Sequence, residues 1–272
     1  MNGLRSLAGH RVLITGAARG MGRSHALLAA EHGASVGLID VPAAGAALAD
    51  TAAEAAKLGG ATIAARTADI RDADLLGRAI DEIAAELGGL DGLVANAGVS
   101  ARAKSAVTWE TSSEEWERIV RINLSGTFHT VRAAIPHLLR SGSGGSIVLI
   151  ASTAGERPLP FAAAYSASKA GVIALGRTLA QELGAAGVRC NSVLPGAVST
   201  PMTDDVAARE GITREAILDA MTAEQLLHEV ITPVAVSDTV VWLLSDQSRL
   251  VTGIEVKVDA GLTGRNARVP GR

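Results

Sequence analysis

The stretch Arg11-Val12-Leu13-Ile14-Thr15-Gly16-Ala17-Ala18-Arg19-Gly20-Met21-Gly22 decides the fold. Its first five residues form an aliphatic and β-branched run that reads as a strand, and the run stops at Gly16. Ala26 to Ala30 follows at helical density, Gly33-Ala34 breaks the helix, and Ser35-Val36-Gly37-Leu38-Ile39-Asp40 returns as a second strand. Strand, glycine turn, helix and strand within about 30 residues make a βαβ unit. Its right-handed crossover sets the two strands parallel. Glycines at such a junction permit a tight turn and let backbone N–H groups approach a pyrophosphate at the helix N-terminus. Asp40, 18 residues after Gly22, stands where a carboxylate accepts hydrogen bonds from an adenosine ribose and repels a 2′-phosphate. Val41 adds no cation, so NAD(H) is expected over NADP(H); Arg19 is the one residue that argues the other way.

The alternation continues outward. A helix around Leu48 to Leu58, a strand at Thr62 to Ala68, a helix around Ala73 to Leu87 and a strand at Gly92 to Asn96 come next. A longer helix from Ser113 past Val131 toward Leu139 ends in the glycine-serine stretch Ser141 to Gly145, and Ser146 to Ser152 is again a strand. A helix from Tyr165 to about Leu183 leads to an extended Val188 to Val193, so at least six parallel strands are expected. Gly196 to Glu229 weakens into polar and helical fragments, Val240 to Leu244 reads as a helix, and Glu255 to Val258 as a final strand. No linker or repeat divides the chain. The expectation is one Rossmann-type, doubly wound α/β domain over 1–262, with a polar tail over 263–272 that frays.

Composition agrees with buried parallel strands: 48% of the 272 residues are hydrophobic and 19% charged. The net charge of −3, with both signs interspersed, offers no basic face to nucleic acid. No stretch gives 18 uninterrupted apolar residues, and the N-terminus lacks an apolar signal core, so neither membrane insertion nor export is expected. Cys190 is the single cysteine and cannot form an internal disulfide, which fits a reducing cytoplasm. The six histidines are scattered without metal-ligand spacing, so no metal is expected.

Tyr165 is the only tyrosine, and it stands four residues before Lys169, with Ser152 thirteen residues upstream. Positions i and i+4 share a helix face, so a phenol and an ammonium at this spacing sit close together. A nearby cation lowers a phenol from its ordinary pKa of about 10 toward the range useful for acid–base work. Ser152, at a strand's carboxyl end, can point its hydroxyl into the crevice where doubly wound sheets bind ligands. Asn123 falls inside a helix that disfavours asparagine, so its amide is expected to satisfy a helix irregularity or to order a water.

With these residues in place, the sequence resembles the short-chain dehydrogenase/reductase family, from Val12 to Gly261. Thr15, Gly16, Gly20 and Gly22 match its TGxxxGxG pattern, Asn96-Ala97-Gly98 its Asn-Ala-Gly element, and Tyr165 with Lys169 its YxxxK motif. The resemblance implies a catalytic set of Asn123, Ser152, Tyr165 and Lys169. It implies cofactor contacts from Gly16, Arg19, Gly20, Met21, Gly22 and Asp40 around the first turn, and from Asp69-Ile70 at the adenine. Asn96, Ala97 and Gly98, the Tyr165–Lys169 pair, and Pro195, Gly196, Val198 and Thr200 at the nicotinamide carboxamide complete the implied site. The implied reaction is hydride transfer between NAD and a secondary alcohol or ketone. In it, Ser152 and Tyr165 bind the substrate oxygen, Tyr165 moves the proton, and Asn123 belongs to a proton path through Lys169. A homotetramer joined by the helices Ser113 to Leu139 and Tyr165 to Leu183 is also implied. The alternative is a catalytically silent NAD(H)-binding sensor or scaffold, which the intact set argues against. Val99 to Trp109, Ala154 to Phe161 and Met202 to His228 are the candidate pocket walls, and their apolar residues point to a moderately hydrophobic alcohol or ketone. Glu156 and Arg157 are either solvated charges or substrate contacts.

Overall fold

The computed structural model describes residues 7–59, 62–100, 107–142 and 144–264. Among the described residues seven strands form one sheet: β1 (Arg11–Thr15), β2 (Ser35–Asp40), β3 (Ile63–Thr67), β4 (Gly92–Ala95), β5 (Gly145–Ile150), β6 (Val188–Pro195) and β7 (Glu255–Val258). All pairings are parallel, and the order across the sheet is β3-β2-β1-β4-β5-β6-β7. The chain leaves β1 in one direction to build β2 and β3, then returns to lay β4 on the other side of β1. Between β1 and β4 the connections diverge, which opens a crevice at the strands' carboxyl ends.

Alternate strand residues face opposite layers. Val12 and Ile14 join Val36, Leu38, Val94 and Val148 in one core, whereas Leu13 joins Ile39, Leu93 and Ile147 in the other. The first core is closed by α1 (Gly20–Glu31), α2 (Gly45–Gly59) and α9 (Pro233–Leu244), and the second by α3 (Ala73–Leu87), α5 (Gly126–Arg140) and α6 (Ala163–Leu183). Each core needs apolar residues on both faces of the sheet, which is why the strands read as continuous aliphatic runs.

Several elements differ in extent from the sequence expectation. The long helix after Ser113 is three pieces: α4 (Ser113–Val120), a π-helical turn over Arg121–Ser125, and α5. The stretch expected to weaken after Gly196 contains α7 (Pro201–Glu210), capped by Thr200 and Thr203, and α8 (Arg214–Ala223), capped by Thr213. Helix α9 begins at Pro233, seven residues earlier than Val240, because the Thr232 hydroxyl accepts from Ala235 N–H and Pro233 sits where its missing N–H costs nothing. Strand β5 ends at Ile150, two residues short of Ser152. Within the expected pocket wall Val99 to Trp109, residues 101–106 lie outside the described residues, as do residues 265–272 of the expected tail.

Candidate active site

The crevice is sewn together across 80 residues of sequence. The Asn96 amide donates to the carbonyls of Thr15 (3.0 Å) and Gly16 (3.2 Å), and the Thr15 hydroxyl accepts from the backbone N–H of Asn96 (3.2 Å) and Ala97 (3.4 Å). These bonds join the ends of β1 and β4. The glycine turn then packs tightly against them. Gly16 has φ +67°, and a Cβ there would lie 2.8 Å from Ala97 Cα; a Cβ on Gly22 would lie 2.0 Å from the Gly16 carbonyl oxygen.

Helix α1 starts without a cap: Arg19 makes no side-chain bond to the first turn, and that turn carries no acidic residue. Ala17 N–H is bonded to Ile39 O and Ala18 N–H to Asp40 Oδ2 (2.9 Å), while among the described residues the amides of Gly20, Met21 and Gly22 have no acceptor. Three free amides at the positive end of a 12-residue helix suit a phosphate group. Asp40 is fixed beside them, its second oxygen accepting from Val41 N–H at 2.8 Å.

The segment after β6 reaches the same turn. A Cβ on Gly20 would lie 3.6 Å from Pro201 Cδ and 3.8 Å from Thr200 Cβ. Pro195 O accepts from the Thr153 hydroxyl (3.3 Å), Gly196 N–H donates to Val258 O (2.9 Å), and Val198 O accepts from the Thr203 hydroxyl (2.6 Å). Asp69 is held by Arg71, whose hydrogen bond is the main reason its carboxyl lies below the usual range. Ile70 is buried, with its carbonyl against His129 Nδ1 at 3.0 Å.

The four expected catalytic residues converge. Asn123 is fully buried in the π turn; its Oδ1 accepts from Val99 N–H (2.8 Å), and its Nδ2 donates to Val99 O (3.0 Å) and to the Ser168 hydroxyl (3.2 Å). Thus the helix is irregular at Asn123, as a π turn, but the amide secures the loop after β4 and does not satisfy the irregularity. A Cβ on Gly98 would lie 3.3 Å from Asn123 Oδ1 and 3.4 Å from Lys169 Nζ, so these three residues share one wall. Ser168 is fully buried and also donates to Tyr165 O at 2.7 Å, which links Asn123 to the helix of the phenol. Nothing in the sequence separates that serine from a solvated one. Ser152 accepts from Ala154 N–H at 3.1 Å, a bond that caps the turn over Thr153–Gly155 and aims the hydroxyl.

One expectation is corrected. Lys169 was expected to lower the phenol of Tyr165, but burial holds the phenol above its ordinary value, and only the neighbouring Ser152 side chain pulls the other way. The ring keeps partial exposure at the crevice. Lys169 is itself buried; its Nζ donates to Ile150 O at 2.8 Å and sits 5.9 Å from the centre of the Tyr165 ring. Burial pushes its ammonium down to about 8. Lys169 is not among the groups that shift the phenol.

A doubly wound sheet with an uncapped glycine-turn helix at its switch point, and a serine, tyrosine and lysine at the mouth of the crevice, defines a dinucleotide-dependent oxidoreductase. A family model described as enoyl-(acyl carrier protein) reductase matches residues 16–263. A short-chain type dehydrogenase/reductase of Mycolicibacterium smegmatis is 39% identical over 272 residues, covering 93% of this chain and 96% of the relative. The (-)-trans-carveol dehydrogenase of Rhodococcus erythropolis is 39% identical over 273 residues, covering 94% and 98%. The crystal structure of carveol dehydrogenase from Mycobacterium avium in complex with NAD superposes with a TM-score of 0.88 at 36% identity, covering 95% of this chain and 99% of that one. The chain belongs to the short-chain dehydrogenase/reductase family.

Proposed function

We propose that this chain interconverts a secondary alcohol and its ketone with NAD(H). The observation that carries the reading is Tyr165 one helical turn before the buried Lys169, with the Ser152 side chain, just past the carboxyl end of β5, near enough to the phenol to favour its ionised form. The bound dinucleotide supplies the hydride acceptor at its nicotinamide. The free amides of Gly20, Met21 and Gly22 would hold its pyrophosphate, Asp40 its adenosine ribose, and the wall of Gly98, Asn123 and Lys169 the nicotinamide end. In reduction, Ser152 and Tyr165 stabilise the negative charge that grows on the substrate oxygen as hydride reaches its carbon, and the phenol, which burial keeps protonated, gives up its proton; in oxidation the phenolate takes the proton of the hydroxyl that Ser152 orients while the hydride leaves that carbon.

The test is Tyr165→Phe, assayed with NAD and a panel of secondary alcohols that begins with carveol. Turnover should fall at least ~10²-fold, as expected on loss of a general acid–base, while NADH binding followed by fluorescence persists. Turnover close to that of the parent sinks the assignment, and binding by the parent with no turnover across the panel returns the silent-sensor reading.

Assembly as a homotetramer is supported by apolar side chains left exposed on α4 and α5, namely Trp116, Phe128 and Leu139; the mass in solution tests it. A cytoplasmic location is supported by Cys190 being the single cysteine of the sequence, so that the fold uses no internal disulfide; cell fractionation tests it. Among the described residues no helix is long and apolar enough to cross a membrane.

A further inference from the structure

The face of α2 that turns toward the core carries Leu48, Thr51 and Ala55. Thr51 is fully buried there, in a helix rich in alanine, where a hydroxyl costs free energy unless it is bonded. Its Oγ1 donates to Ala47 O at 3.1 Å, the back-bond common to a threonine inside a helix. It also donates to Ala18 O at 3.2 Å, 33 residues upstream in the glycine turn. Ala18 is buried, and among the described residues its carbonyl has no other donor. The first bond needs only the helix; the second ties α2 to the turn.

A trans peptide is planar, and its C=O and N–H point in opposite directions. With Ala18 O held toward α2, the N–H of Arg19 is turned away from that helix, and among the described residues it has no acceptor. The two peptides before it are also fixed from outside the turn. Ala17 N–H donates to Ile39 O at 3.2 Å and Ala18 N–H to Asp40 Oδ2 at 2.9 Å. Three consecutive peptide planes are thus set by β2, by the Asp40 side chain and by α2. The third plane ends in the amide that precedes the unbonded N–H groups of Gly20, Met21 and Gly22. Turned over, it would present a carbonyl oxygen in place of a donor, and a carbonyl oxygen repels an anion.

We propose that Thr51 is a positioning residue of the cofactor site: its hydroxyl locks the Ala18–Arg19 peptide so that the Arg19 amide serves, with those of Gly20, Met21 and Gly22, as a donor to a pyrophosphate. The inference rests on the dinucleotide-binding reading above and adds to it a residue outside the turn that touches no ligand. A donor fixed before the ligand arrives spares the ordering that a loose loop would undergo on binding. Removing the hydroxyl leaves a buried carbonyl unbonded, which drives the peptide to turn or to admit water. The loss of one hydrogen bond to a charged group corresponds to about tenfold or more in affinity. That loss falls on phosphate-bearing ligands and spares a nucleoside held at Asp40.

The experiment measures by calorimetry the dissociation constants of ADP, which carries the pyrophosphate, and of adenosine, which lacks it, in the parent, Thr51→Val, Thr51→Ala and Thr51→Ser. The Kd for ADP should rise about tenfold in T51V and T51A and return to within about twofold of the parent in T51S, while that for adenosine stays within about twofold throughout. An ADP constant in T51V and T51A within about twofold of the parent overturns the proposal and leaves the cofactor reading standing. Equal weakening of ADP and adenosine also overturns it, because the bond would then serve general packing, and so does loss of fold in both hydroxyl-free variants. A parent that binds ADP no tighter than adenosine removes the phosphate reading of the turn and this inference with it.

Discussion

At the scale of single residues, the site depends on burying groups that prefer water. Lys169 has its ammonium pushed down from 10.5 to about 8 by burial alone. A folded-state pKa below the unfolded one means that the folded protein binds fewer protons between those values, so Lys169 makes stability rise with pH from about 8 to 10.5. The span corresponds to at most about 3 kcal/mol at 1.36 kcal/mol per unit. Lys169→Met removes the titrating group and also the bond to Ile150 O, so the absolute stability of K169M compounds two effects of opposite sign. Their pH dependence separates them. The parent should gain on K169M in urea unfolding as pH rises across that window, and a constant difference from pH 7 to 10.5 would show that Lys169 is not destabilised by burial. The spacing of Tyr165 and Lys169 was legible from the sequence, but the direction of the phenol's shift was not, because burial sets it, and burial comes from packing that a four-residue spacing does not report.

At the scale of elements, the contact between α1 and α9 hides a histidine. His25 is 1% exposed, its Nδ1 lies 2.7 Å from the Ser237 hydroxyl, and its Nε2 has no partner among the described residues. Ser237 lies 2.8 Å from the Ser24 hydroxyl and donates to Pro233 O at 2.9 Å. Burial pushes the ring down to about 3 from 6.5. The unfolded chain takes up that proton near 6.5, so the stability conferred by a neutral His25 is complete above that pH and lost as pH falls toward 3. The loss amounts to at most about 5 kcal/mol. His25→Leu keeps the interface apolar and leaves Ser237 its bond to Pro233 O, so the acid side of a melting-temperature profile should flatten in H25L. An acid limb as steep as the parent's would assign the pH sensitivity to other groups. Helices α1 and α9 are each readable as apolar segments, yet their pairing joins residues 212 positions apart, and no local pattern reports such a contact.

At the scale of the whole molecule, the sheet order does what no segment does alone. The βαβ opening and the aliphatic runs make the parallel sheet legible, but the return of the chain to place β4 beside β1 is a long-range event, and it gives Asn96 its part as a tie between strand ends. The same seam sets a test of cofactor binding. At Gly22 an added Cβ would meet Gly16 O at 2.0 Å and Asn96 Nδ2 at 2.6 Å, so Gly22→Ala must push α1 off the turn and disturb the bonds that join β1 to β4. At Gly77, inside α3, a Cβ would meet nothing within 4 Å. Gly77→Ala is therefore a matched control that should stabilise by about 0.5–1 kcal/mol through helix propensity. Ligand that binds only the folded state adds about 2.7 kcal/mol at a hundredfold excess over Kd. The parent and G77A should both show the corresponding rise in melting temperature on adding NAD, whereas G22A should melt lower without NAD and gain little from it. A full NAD-dependent rise in G22A would mean that the dinucleotide does not rest on this turn. Because the readout is binding and not turnover, that result would count against the cofactor site even in a protein whose Tyr165, Ser152 and Lys169 remain in place.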